Sequence, residues 1–285
     1  MVFRTLVQTW LQNAAKAHLR EAVTRVAKTQ LAPPATEPPS ETPKPCDVGI
    51  LFASGSESGC LEDLLEGAVI IRSRQFVIRE GGWKGRRVIV ICSGPGWHNA
   101  AHATEVLIDG HQPRLVISAG FASALCPELK RNEILIADRL LTTEGGAVAI
   151  EVPPALSATL GQPGIHRGAL ISTDQAVRLP REKQSLFQRY AALAVDAETF
   201  AVAEVCQRRQ VPFRTLRVIN SAADESLPRD VEHLLAQKTA SAQIGAALGA
   251  IWRRPASAKD LYQLQENALV ASQRLAKFLT QYSFG

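Results

Sequence analysis

The sequence predicts an α/β fold, a single three-layer α/β/α domain built around a mixed central sheet. Three observations carry that prediction. Short apolar runs of the kind buried on both faces alternate with segments of helical periodicity. The 285 residues are 46% hydrophobic and 21% charged, enough to bury a substantial core. No internal repeat divides the chain, so one domain over 46–285 is the simplest reading.

Two segments precede that domain. Residues 1–31 read as an amphipathic helical leader, with Phe3, Val7, Trp10 and Ala14 at helical spacing. Three uses fit it: packing on the main body or a second subunit, peripheral docking on a membrane surface, or an organelle presequence. Gln8, Gln12, Asn13 and Lys16 break the apolar stretch that a secretory signal needs. Residues 32–45 follow as a Pro-rich linker, holding six of the 16 prolines, whose fixed φ favours extended backbone.

Within the domain, DVGILFA (47–53) reads as the first buried strand and RRVIVICSG (86–94) as the second. NAAHATEVLIDGH (99–111) reads as a helix stopped by Gly110. PRLVISAGFA (113–122) and EILIADRL (133–140) give two more strands. Residues 182–210 form one helical region, and VPFRTLRVINSAAD (211–224) is a late strand running into a polar turn. Helices close the chain at about 230–252 and 258–282, the last with Ala271, Leu275 and Phe278 on one face.

Composition excludes several function classes. The formal net charge is +5, but residues 1–31 carry a net +4 through Arg4, Lys16, Arg20, Arg25 and Lys28 against Glu21. The domain is nearly neutral and has no nucleic-acid-binding motif, so no nucleic-acid partner is expected. The five cysteines form no CxxC pair and have no histidine at zinc spacing. No metal site is expected, and the odd, scattered cysteines fit a reducing cytoplasm. No segment has the roughly 18 consecutive apolar residues of a spanning helix. GxxxxGK[ST], GxGxxG and GxSxG are all missing, so no nucleotide cofactor or esterase elbow is supported.

Ligands of open α/β sheets gather at the carboxyl ends of strands. The polar clusters SGSES (54–58), SGPGWHN (93–99), SAGFAS (118–123) and NSAADE (220–225) fall there, and DAE (196–198) opens a helix. Duller roles fit most of them: Ser93 and Asn99 as helix caps, Glu57 as a solvated loop acid, Asp196 as a partner of a helix dipole. Glu198 is harder to dismiss, because its surroundings are apolar and a buried carboxylate needs hydrogen-bond partners such as a sugar diol.

Taken together and in order, VGILFA, SGPGWHNAA, PRLVISAGFASAL, EILIAD, STDQAV, VDAETFAVAEVC and VPFRTLRVINSAAD span about 180 residues. This ordered set resembles the purine nucleoside phosphorylase and nucleosidase superfamily, in particular the 5'-methylthioadenosine/S-adenosylhomocysteine nucleosidases. The leader, the linker and the chain beyond Arg253-Arg254-Pro255 lie outside the resemblance. It implies a nucleoside phosphorylase-like fold and a homo-oligomer, most simply a homodimer, with a nucleoside-like small molecule as substrate. Glu57 then activates the attacking water and Glu198 binds the ribose hydroxyls. Ser93 and Gly94 form the sugar-side turn, with Phe121 and Ala197 beside substrate. Gln175, Ala176 and Val177 flank the base, although Ala176 stands near where the family usually has an aromatic residue.

The largest departure is Asn220-Ser221, where the family has Ser-Asp and the aspartate assists the leaving purine. A serine does not replace a carboxyl as general acid near neutral pH. The aligned positions of the phosphorolytic arginine and serine are Ser118 and Phe121, so water is favoured over phosphate as nucleophile. The resulting expectation is an N-ribosyl hydrolase, with Asn220 or Ser221 donating to the base. A nucleoside phosphorylase and a degenerate, non-catalytic nucleoside-binding protein are the alternatives.

Overall fold

The computed structural model describes residues 45–73, 76–227 and 257–282. The chain divides into two units, 1–42 and 43–285, and the description that follows concerns the second. The predicted leader, nearly all of the linker and the helix at 230–252 lie outside the described residues.

Strands β1 (Val48–Phe52), β4 (Arg86–Cys92), β5 (Val116–Ala124), β6 (Ile134–Thr142) and β10 (Phe213–Ser221) follow the predicted apolar runs. β1 runs parallel to both β4 and β5, and β10 runs parallel to β5. Alternate side chains enter different cores. Ile50 and Phe52 pack with Leu61, Leu275 and Phe278 on one face, while Leu51 packs with Leu107 and Val202 on the other. Helix α1 (Gly55–Glu62) and the last helix, α6 (Ser257–Tyr282), cover the first face. Helices α2 (Trp97–His111) and α5 (Thr199–Arg208) cover the second. Burial on both faces is why β1 reads as an unbroken apolar run.

Several elements correct the sequence reading. A hairpin of β2 (Glu66–Arg72) and β3 (Val77–Trp83) extends the sheet antiparallel beyond β4. β7 (Ala147–Ala149) is a short addition to β6, followed by the four-residue α3 (Pro154–Ser157). β8 (Ile165–Ser172) runs parallel to β6. The region predicted as one helix over 182–210 is instead α4 (Pro180–Tyr190), β9 (Ala194–Asp196) and α5. β9 pairs with both β8 and β5. Successive pairings β5–β10–β6–β8–β9–β5 therefore close a ring, from which β1, β4, β3 and β2 extend. Helix α2 runs past Gly110 to His111, and Gln112 caps it in the left-handed conformation, φ 42°.

Candidate active site

SGSES is not a loop. Gly55 opens α1, and Glu57 sits in its first turn. Its Oε2 accepts the backbone N–H groups of Ala53 (2.8 Å) and Ser54 (3.0 Å), as a residue closing a helix start does. Its Oε1 reaches across to the N–H of Phe121 in β5, 2.9 Å away. The carboxylate thus bridges the end of β1 and the backbone of β5, and Glu57 is only 8% exposed. Burial pushes its pKa above the usual carboxylate range, while the three N–H groups and the Arg217 charge oppose that rise. The α1 backbone is also held from α6, where the Ser272 hydroxyl donates to the Glu57 carbonyl at 2.9 Å.

Glu198 is the N-cap residue of α5. Its Oε1 accepts the Gly96 N–H at 2.7 Å, which ties it to the turn after β4. Gly96 has φ 94°, a conformation that glycine adopts without steric cost. Burial raises the Glu198 pKa to about 7, with further upward pushes from the charges of Asp196 and Glu57. The Gly96 hydrogen bond and Arg217 pull it down. The two predicted glutamates therefore share one electrostatic environment, although 141 residues of sequence separate Glu57 from Glu198.

Arg217, on β10, is the group that sequence reasoning missed. It is 3% exposed and pairs with Asp196 at 2.9 Å. Its Nη2 also donates to Ser118 Oγ at 2.7 Å and to the Thr199 hydroxyl, and its Nη1 donates to the Leu216 carbonyl. Asp196 completes this network by accepting from the Ser172 hydroxyl at 2.6 Å and from Thr199. Asp196 is thus a buried ion-pair partner in β9 as well as an acceptor for the start of α5. An arginine between the apolar Leu216 and Val218 was the available signal.

The remaining predicted residues are placed unevenly. Ser93 is buried, and its hydroxyl donates to the carbonyls of Gly94 (2.7 Å) and Phe52 (3.3 Å) rather than capping α2. Gly94 has φ 81° and belongs to the same turn as Gly96. The Phe121 side chain packs on the first core, so its backbone is what serves Glu57. Ala197 lies between Asp196 and Glu198 and donates to Glu198 Oε2 at 3.3 Å. Gln175 and Ala176 are exposed in the β8–α4 loop, and Val177 packs on the cluster around Leu125 and Ile171. No hydrogen bond among the described residues joins these three to either glutamate. Trp97 stacks on Phe200, 5.5 Å between centroids, beside the Gly96 turn.

Asn220 and Ser221 end β10. The Asn220 carbonyl accepts from Arg131, which also grips Glu225 through two hydrogen-bonded nitrogens. Ser221 is fully buried, and its Oγ accepts from Lys183 Nζ of α4 at 2.8 Å. A groove of about 400 Å³ lined by Glu66, Glu80 and Arg87 near the β2–β4 strands contains none of these residues. Among the described residues no group of three or more His, Cys, Asp or Glu is arranged to hold a metal ion. No described helix is long and apolar enough to cross a membrane.

Strands and carboxylates in this order invite comparison with known proteins. The phosphorylase superfamily model matches residues 47–251. The chain belongs to the phosphorylase superfamily. Among curated superfamily relatives, the 5'-methylthioadenosine/S-adenosylhomocysteine nucleosidase of Tolumonas auensis is 26% identical over 225 residues, covering 70% of this chain and 98% of the relative. That of Staphylococcus aureus is 25% identical over 217 residues, covering 68% and 94%. The solved structure of the Neisseria meningitidis nucleosidase of the same name superposes with a TM-score of 0.64 at 20% identity, covering 82% of this chain and 97% of that one. The futalosine hydrolase of Helicobacter pylori superposes with a TM-score of 0.63 at 24% identity, covering 84% and 96%. These superpositions bear out the mixed α/β/α fold.

Proposed function

We propose that this chain is an N-ribosyl hydrolase, which cleaves the N-glycosidic bond of a nucleoside-like substrate with water. The observation that carries the proposal is the pair of buried carboxylates, Glu57 and Glu198, fixed by backbone N–H groups from the end of β1, from the turn after β4 and from β5, and coupled through their charges. Paired carboxylates suit a reaction whose transition state has oxocarbenium character, because their negative charge opposes the developing positive charge on the ribose. Glu57, in its anionic form, takes a proton from the attacking water. Glu198 accepts from the ribose hydroxyls. The Ser93–Gly96 turn shapes the sugar side, and the end of β10 meets the leaving base.

Arg217 favours water over phosphate. Phosphorolysis needs cationic groups free to bind a dianion, and arginine does this through its fork of N–H donors. Arg217 lies beside Ser118, but its guanidinium is committed to Asp196, Ser118, Thr199 and Leu216. The relatives named for nucleosidase activity on methylthioadenosine and adenosylhomocysteine support a purine nucleoside with a 5'-thio substituent as the first substrate to try. A homodimer free of nucleic acid, located in the cytoplasm, completes the proposal.

The test is turnover of a panel containing methylthioadenosine, adenosylhomocysteine, inosine, adenosine and uridine by the purified chain. Free base released without added phosphate, and lost in Glu198→Gln, is the expected result. Release that requires phosphate would favour a phosphorylase. Binding without turnover would favour the non-catalytic alternative.

A further inference from the structure

Lys183 is the buried cation that the mechanism above leaves unused. It is 0% exposed on α4, and its Nζ donates to Ser221 Oγ (2.8 Å), the Ala222 carbonyl (2.6 Å) and the Glu225 carbonyl (2.9 Å). All three acceptors are neutral oxygens. The nearby Glu225 carboxylate is taken by Arg131, at 2.6 Å, and not by Lys183. A buried ammonium without a contacting carboxylate is costly. Burial lowers its pKa to about 8, against an upward pull from Glu225 and Asp224 and a further downward push from Arg131. Two carbonyls would suffice to clamp the turn after β10. The third acceptor is the Ser221 hydroxyl at the end of β10, the strand end that the hydrolase reading sets against the departing base.

Ser221 shows the other half of the arrangement. Because its Oγ accepts from Lys183, its own hydrogen must point elsewhere. Among the described residues, that hydrogen has no acceptor. Resting on the hydrolase reading, we propose that Lys183 is a positioning residue which holds Ser221 as a hydrogen-bond donor to the leaving base and resupplies its proton. As the C1'–N bond breaks, its electron pair passes to the base. A base nitrogen takes the Ser221 hydroxyl proton, Ser221 Oγ takes a proton from Lys183 Nζ, and the neutral amine is reprotonated by solvent after release. The water adds its hydroxyl to C1' and its other proton to Glu57. The pair thereby replaces a single carboxylic acid by a hydroxyl backed by a cation. The ligand it favours is a base with a nitrogen acceptor facing β10.

The test compares wild type, Ser221→Ala, Lys183→Met and the double variant on methylthioadenosine and on p-nitrophenyl riboside. The aryl leaving group departs as a stable anion and needs no proton. Each single variant should lose about 10- to 100-fold in kcat on the nucleoside, up to the lower end of the roughly 10²–10⁴-fold that a full general acid contributes. The aryl riboside should change by less than about threefold, and the double variant should be no worse than the worse single one. Equal losses on both substrates would show a structural clamp only and overturn the proposal, as would no loss on the nucleoside. Ser221→Ala removes one oxygen, so it gives the answer even where Lys183→Met fails to fold. Glu198→Gln should slow both substrates, and indifference there would count against the hydrolase reading, not the pair. Where wild type turns over neither substrate, calorimetry with free adenine decides: binding weakened at least about fivefold in Ser221→Ala supports the pair, and unchanged or undetectable binding overturns it.

Discussion

The Glu57 carboxylate lies so close to Gly120 that a Cβ at residue 120 would sit 2.9 Å from Oε1 and 3.1 Å from Cδ. Only glycine leaves that space on β5, next to the Phe121 N–H that holds the same oxygen. The strand and the carboxylate are thus fitted to each other. Gly120→Ala should displace Glu57 without emptying the core. If Glu57 is the base, kcat should fall by about 10²-fold or more. Steady-state kinetics beside circular dichroism would check this, and a folded variant with unchanged kcat would remove Glu57 from the mechanism.

Glu198 makes stability depend on pH. Its folded pKa of about 7 exceeds the ordinary value of 4.5. The folded state therefore binds more protons between those values, and this contribution to stability, full below about 4.5, is lost as pH rises through 7. Glu198→Gln cannot ionise and escapes that loss. Relative to wild type, its Tm should rise between pH 5 and pH 8. Scanning calorimetry at both values would check it, and a difference that stays flat or narrows would contradict the assignment.

Removing one side of a buried ion pair strands the other charge. Arg217→Met should destabilise the fold by about 3–5 kcal/mol. Combining it with Asp196→Asn should recover part of that loss, since the stranded carboxylate is gone. Urea denaturation of the single and double variants measures both effects, and strictly additive losses would mean that the pair contributes no coupling.

Three of the five cysteines, Cys46, Cys92 and Cys206, should be unreactive in the folded protein. Burial pushes the thiols of Cys46, Cys92 and Cys206 up to about 12, far from the thiolate that alkylates. Iodoacetamide at pH 8 should leave these three unmodified until the protein is unfolded. Peptide mass spectrometry before and after denaturation reads the difference, and rapid native labelling of any of the three would contradict it.

Legibility followed burial. β1, β4 and β5 were readable because both faces are covered, which leaves apolar runs, and β6 and β10 because shorter apolar runs, Ile134–Ala137 and Leu216–Ile219 apart from Arg217, mark them. β2 was not, because Glu66–Arg72 is largely exposed and carries no buried stripe. β9 is three residues long and gains its identity from pairing with β5 and β8, which no local pattern records. Glu57 and Glu198 were singled out by strand-end position and family resemblance. Lys183 was invisible for the opposite reason: PREKQSLFQRY reads as a solvated, charged helix, and only the approach of α4 to the end of β10 buries its ammonium. Gln175 and Ala176 carried a resemblance but stand exposed in this structure.

In the proposed reaction, water attacks C1' between Glu57 and Glu198. The direct measurement is turnover of methylthioadenosine in ¹⁸O-labelled water with and without phosphate, with the sugar product weighed by mass spectrometry. Water attack should give a methylthioribose that carries the label at C1', at a rate indifferent to phosphate and abolished in Glu198→Gln. A ribose 1-phosphate, formed only when phosphate is present, would contradict it.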